Sequence, residues 1–160
     1  MKKELKIVIG CDHAAIDMKK AVISRLEEMG YAVTDVGAHT TDACDYPDIA
    51  HALCEEIMSG ECQRGFLICG TGIGMSLVAN KHPGIRAACC SDLYSAEQTR
   101  RHNDTNVLCF GARVIDTETA LRLAEIFVTT DFECDTERHV RRVKKMEDIE
   151  KLYMRNEVVK

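Results

Sequence analysis

The sequence predicts an α/β protein built on a parallel sheet of five short strands with helices on both faces. Three observations predict it. Apolar runs of strand length recur along the chain, helical periodicity fills the stretches between them, and polar residues suited to chemistry follow several of the runs directly. In such sheets ligands bind beyond the carboxyl ends of the strands.

The first run, residues 5–9, stops at Gly10. Residues 14–29 place Ile16, Ala21, Val22, Leu26 and Met29 broadly on one side of a helix that Gly30 ends. Residues 31–36 read as the second strand, closed by Gly37, and a polar loop over 38–47 leads to a helix over 48–58. Residues 66–68 form the third strand and 75–81 the helix after it. Strand four spans 86–90, its helix 93–102, and strand five 106–110, ending at Gly111. A helix over 117–128 is capped by Asp116 or Thr117.

The tail, 136–153, is helix-like with an apolar row at Val140, Val143, Met146, Ile149 and Leu152 or Tyr153. No strand follows to cover that row, so it needs a surface, on its own domain or on a second subunit. Arg138, His139, Arg141, Arg142, Lys144 and Lys145 lie beside it and by themselves read as a solvated basic face. Arg138 and Arg142 are four apart and could fork onto one phosphate.

The 160 residues, 46% of them hydrophobic, fit one domain, 1–160, with a real core. A net charge of -5 argues against non-specific nucleic-acid binding, so any phosphate site must be a local basic cluster. Nine cysteines, an odd number with no C-x-x-C pair, oppose a disulfide framework or a zinc site and suit a reduced, cytoplasmic protein. The start of the chain has two lysines but no long apolar region, and no window approaches a membrane span.

The chemistry centres on Cys69-Gly70-Thr71-Gly72-Ile73-Gly74, a glycine loop between strand three and its helix. Glycines bring bare backbone close to a ligand, and a helix start offers unpaired N–H groups, so the loop is an anion seat. Cys69 stands where those donors would stabilise negative charge on its sulfur or on a bound substrate. Met75 breaks the dinucleotide fingerprint, and no Gly-Lys-Ser/Thr closes a Walker loop. The bland alternative is a tight turn holding a small buried thiol. Asp12 and His13 follow strand one, Tyr46 lies in the loop after strand two and Arg113 follows strand five, all at the carboxyl ends. His102 and Asn103 precede strand five and fall at the far end. His39, His51 and His82 lack such company and read as surface residues.

Taken together, Gly10-Cys11-Asp12-His13-Ala14, Asp45-Tyr46-Pro47-Asp48, the cysteine–glycine loop, Ala79-Asn80-Lys81, Gly84-Ile85-Arg86-Ala87, Arg101-His102-Asn103-Asp104 and Arg138-His139 closely resemble the type B ribose-5-phosphate isomerases, a family with allose- and galactose-6-phosphate isomerases among its members. The resemblance implies a three-layer Rossmann-like sandwich working without metal or other cofactor, as a homodimer or dimer of dimers with shared sites. It implies that the 136–155 helix reaches the neighbouring subunit. It implies Cys69 as the base moving a proton between C1 and C2, and His102 as the acid/base that opens the cyclic sugar. Asp12, His13, Tyr46 and Asn103 would bind substrate, Gly70, Thr71, Gly72, Ile73 and Gly74 would hold the enediolate oxygens, and Arg113, Arg138 and Arg142 would grip phosphate. Two departures stand out: Cys134-Asp135-Thr136-Glu137 replaces a Gly-Gly pair before Arg138, and Ile16-Asp17 stands where relatives carry an aromatic residue. The expected activity is isomerisation of ribose 5-phosphate to ribulose 5-phosphate. A six-carbon aldose-6-phosphate isomerase and a non-catalytic phosphosugar-binding protein are the alternatives.

Overall fold

The structure, a computed structural model, describes residues 5–154, with the side chain of Met154 left aside. The lysine-bearing start of the chain and the predicted helix end at 155 lie outside the described residues.

Five strands alternate with helices: β1 (Lys6–Cys11), α1 (Ile16–Glu28), β2 (Ala32–Asp35), α2 (Tyr46–Met58), β3 (Arg64–Cys69), α3 (Ile73–Ala79), β4 (Ala87–Cys89), α4 (Leu93–Asn103), β5 (Val107–Gly111), α5 (Thr117–Thr129) and α6 (Glu137–Met154). All pairings are parallel, as the sequence predicts, and the order across the sheet is β2-β1-β3-β5-β4. The order reverses between β1 and β3, which opens a crevice between their carboxyl ends.

The strand period of two divides the core into two layers. Ile7, Ile9, Phe66, Ile68, Leu108 and Phe110 point into one layer, against Val22 and Leu26 of α1 and Leu123 and Phe127 of α5. Val8, Leu67, Cys69, Val107 and Cys109 point into the other, against Leu53 of α2 and Met75 of α3. Gly65 is required by this second layer, since a Cβ there would lie 2.8 Å from Leu53. Cys69 is thus a core-facing strand residue that happens to end its strand.

Two element starts differ from the sequence reading. α2 begins at Tyr46, because Pro47 has no N–H to lose and fits the first turn, so Tyr46 opens a helix instead of lying in a loop. α3 begins at Ile73, directly after Gly72 in the left-handed region, so the free loop is shorter than its three glycines suggest. Asp116 is the cap of α5, its carboxylate accepting the Thr119 N–H at 2.8 Å. Along α6, Val143 is buried, while Val140, Met146, Ile149, Leu152 and Tyr153 remain exposed within the single chain. Among the described residues, no helix is long and apolar enough to cross a membrane.

Candidate active site

Chemically able residues gather at both ends of the sheet. At the carboxyl end, β3 delivers Cys69, which is 6% exposed. Its Sγ accepts the Gly72 N–H at 3.0 Å. The turn that aims this donor needs glycine twice over: Gly72 has φ of 79°, and a Cβ there would sit 2.7 Å from the Phe110 Cα. Thr71 Oγ1 accepts the Ile73 N–H at 3.3 Å and tightens the turn. Gly74 lies under the Tyr46 ring, where a Cβ would approach Cζ to 2.7 Å, so the ring roofs the loop.

Arg113 reaches the same loop. Its backbone N–H donates to the Gly70 carbonyl at 3.1 Å and its side chain lies against Gly70. On the neighbouring strand the Asp12 N–H donates to the Ile68 carbonyl at 3.0 Å, and the Asp12 carboxylate accepts the Ala14 N–H at 2.9 Å. His13 Nδ1 faces the Cys44 N–H at 3.4 Å. A cleft of about 270 Å³ opens beside it, lined by His13, Ile16, Asp17, Thr41, Ala112 and Thr117. Cys69, Gly70, Thr71, Gly72, Ile73, Gly74, Asp12, His13, Tyr46 and Arg113 therefore share one end of the fold.

His102 and Asn103 do not join them. Helix α4 runs back across the sheet and ends at its amino side, ahead of β5. That end is firmly anchored. Arg86 donates to the Asn103 and Asp104 carbonyls at 3.1 and 3.0 Å and to the Asp104 carboxylate at 2.8 Å. The buried Arg100 donates to Asp104 Oδ1 at 3.0 Å and to the Thr130 carbonyl at 3.2 Å. His102, with its side chain 38% exposed, lies against His139 with ring centroids 4.2 Å apart and planes tilted by 40°. Arg138 and Arg142 belong to this end as well: Arg138 Nε donates to His139 Nε2 at 3.2 Å, and Arg142 follows one turn further along α6. Within one chain, the expected catalytic pair is split between the two ends.

The basic face of α6 is not uniformly solvated. His139 is 2% exposed, because α6 lies against α4 and turns this residue inward. Burial, with the charges of His102 and Arg138, pushes the His139 imidazole below its ordinary value. His82 is likewise no plain surface residue. It is half-buried, its Nδ1 lies 3.0 Å from the Val78 carbonyl, and its Nε2 is 2.7 Å from His51 Nδ1.

The residues that sequence reasoning missed are Glu133, Arg101 and His139 in this second cluster. Glu133 Oε1 accepts from Arg101 Nε at 2.7 Å and from Arg101 Nη2, while Oε2 lies 3.0 Å from His139 Nδ1 and 4.0 Å from His102 Nε2. The available signals were the Arg101-His102-Asn103-Asp104 block and the Arg138-His139 pair, and neither points to Glu133. His102, Glu133 and His139 bring three ligand-type atoms within 4.8 Å of one another. Arg138 Nε donates to His139 Nε2, which leaves the ring proton on the Nδ1 that faces Glu133, so that nitrogen offers no lone pair to a metal ion.

Burial separates the thiols. It pushes Cys11 up to about 11, Cys54 to about 12 and Cys90 to about 11, and Cys109 well above its ordinary value. These four are core residues, inert as nucleophiles near neutral pH.

The cysteine–glycine loop stands at the switch point of a parallel sheet, which makes this a Rossmann-like α/β protein with its polar chemistry at the carboxyl ends of the strands. Comparison with known proteins gives the family. Residues 7–146 match the Ribose/Galactose Isomerase family model, and the chain belongs to that family. It is 42% identical over 145 residues to ribose-5-phosphate isomerase B of Escherichia coli, covering 91% of this chain and 96% of that protein. It is 46% identical over 130 residues to D-erythrulose-4-phosphate isomerase of Pectobacterium atrosepticum, covering 81% and 86% respectively. The solved ribose-5-phosphate isomerase B of Clostridium thermocellum superposes with a TM-score of 0.89 at 44% identity, over 93% of this chain and 99% of that one.

Proposed function

We propose that this protein interconverts ribose 5-phosphate and ribulose 5-phosphate through an enediolate, with Cys69 as the base. The observation that carries the reading is the Gly72 N–H aimed at Cys69 Sγ across 3.0 Å. A charge-favouring donor on that sulfur suits a thiolate poised to take a proton from carbon.

Chemically, the cyclic aldose must open first. The C1–O4 bond breaks, O4 takes up a proton and O1 gives one up as the C1 carbonyl forms, and His102 is the group suited to both transfers. Cys69 then removes the C2 proton, and the electron pair forms C1=C2 with negative charge on O1. Backbone donors of the 70–74 loop stabilise that oxyanion. The proton returns to C1, O2 loses its proton as the C2 carbonyl forms, and O1 gains one. No electron leaves the sugar.

The site is shared between two copies, in a homodimer or a dimer of dimers. Cys69, Asp12, His13, Tyr46 and the loop come from one copy, and His102, Asn103, Arg138 and Arg142 from the other. Two observations support this: the two groups lie at opposite ends of a chain, and α6 exposes Ile149, Leu152 and Tyr153 beside its basic residues. Arg113, lying on Gly70, adds positive charge from the cysteine side. Nine cysteines, none of them in a disulfide, suit the reducing cytoplasm.

A second reading, isomerisation of a four-carbon aldose phosphate, is favoured by the 46% identity to D-erythrulose-4-phosphate isomerase. Turnover measured on aldose phosphates of four, five and six carbons tests both. Ribose 5-phosphate should have the highest kcat/KM, and a clear preference for erythrose 4-phosphate or a six-carbon sugar would replace the first reading.

A further inference from the structure

Glu133 lies in the irregular segment between α5 and α6 and is tied twice to Arg101, the neighbour of His102. Its backbone N–H donates to the Arg101 carbonyl at 3.0 Å, and its Oε1 accepts from the Arg101 guanidinium. That guanidinium holds the Glu133 carboxyl below the usual carboxylate range, so the group is an anion at neutral pH. Its second oxygen faces two rings, 3.0 Å from His139 Nδ1 and 4.0 Å from His102 Nε2.

The tautomer of His139 follows from Arg138. A guanidinium only donates, so His139 Nε2, which receives Arg138 Nε at 3.2 Å, must carry a lone pair. The ring proton is therefore on Nδ1, on the Glu133 side. Although Nδ1 is 3.0 Å from Oε2, the carboxylate lies off the N–H direction and the buried N–H lacks an aligned acceptor. A carboxylate not locked in line with one ring keeps its charge available to the other.

We infer that Glu133 and His139 are positioning residues for His102: Glu133 is the countercharge for the imidazolium formed during ring opening, and His139 is a neutral wall that fixes the ring's plane. The inference rests on the function proposed above. Each part has a structural reason. His139 is 2% exposed and its ring lies 4.2 Å from that of His102, tilted 40°, so a charge on it would oppose a charge on His102. Arg101, Arg138 and Arg142 also bring positive charge to this cluster, which leaves Glu133 as the carboxylate within 4.0 Å of the His102 ring among the described ion pairs. With its side chain 38% exposed, His102 still has an open side for the sugar.

The test separates ring opening from proton transfer at carbon. Ribulose 5-phosphate has no ring to open, since O5 carries the phosphate and O4 would close a four-membered ring. Its C1 hydrogen therefore exchanges with deuterium oxide through the Cys69 step alone. In Glu133→Gln, isomerisation of ribose 5-phosphate should fall by about 10-fold to 100-fold, the scale of a misplaced catalytic group. C1 exchange should stay within about twofold of the parent, because the base is untouched. His139→Phe keeps a flat, neutral ring against His102 and should lose less isomerisation than His139→Ala. A parallel fall of exchange and isomerisation in Glu133→Gln, or no fall in either, overturns the inference. Absence of both reactions in the unmodified protein would instead count against the sugar-phosphate reading itself.

Discussion

Cys69 and His102 stand at opposite ends of the same parallel sheet. Cys69 closes β3 in register with Gly111, the last residue of β5, and His102 precedes the first residue of β5. Strand β5, Val107–Gly111, alone spans about 13 Å between the two ends.

The consequence is a complementation. Cys69→Ala and His102→Asn should each be nearly inactive as pure proteins. In co-expressed mixed dimers one composite site collects both defects and the other collects neither, which gives about a quarter of parent activity after random 1:1 pairing. A purified mixed dimer without activity would mean that the two residues serve the same site from one chain, or that His102 serves none.

Gly72→Ala tests the loop without touching the thiol. The new Cβ would meet the Phe110 backbone at 2.7 Å, at a φ of 79°. The left-handed conformation costs about 1–2 kcal/mol before the clash is added. The loop should move, the Gly72 donor should leave Sγ, and kcat should fall by about 100-fold or more, the scale of losing one oxyanion-type donor. Calorimetry should show a lower Tm alongside the kinetics.

Stability should fall in acid, and His139 should account for the first part of the fall. Its folded-state value is depressed, so below about pH 6.5 the unfolded chain takes up a proton that the folded chain refuses. The contribution is complete above that value and is lost as pH drops toward the depressed one. Glu133, Asp92 and Asp116 are also held low, by Arg101 and by helix-cap bonds, so their share is lost only in stronger acid. The pH dependence of Tm for His139→Gln should be flatter than the parent's just below about pH 6.5, and unchanged in the carboxylate region below about pH 4. A His139→Gln profile parallel to the parent's throughout would contradict the depressed imidazole.

The sheet was legible because β3 and β5 are buried along their whole length, and a run such as Val107 to Phe110 has few other uses. The cysteine–glycine loop was legible because three alternating glycines after a strand leave few bland explanations. Helix starts were less so. Pro47 fits either a loop or a first helical turn, and Gly72 either a free loop or the residue before a helix, so α2 and α3 begin earlier than the apolar pattern indicates. The second cluster was the least legible. Arg101, Glu133 and His139 come from a helix end, an irregular segment and a terminal helix, and no periodicity links them. His139 also sits in a run of basic residues, which hides the one member that α4 buries.

The most direct test is the turnover of Cys69→Ala on ribose 5-phosphate, read together with deuterium exchange at C1 of ribulose 5-phosphate. The variant should keep phosphosugar affinity, since Arg113, Arg138 and Arg142 are intact. Both reactions should fall by at least about 10²- to 10⁴-fold, the usual cost of removing a positioned base. Turnover or exchange near the parent rate would contradict the account and remove Cys69 from the chemistry.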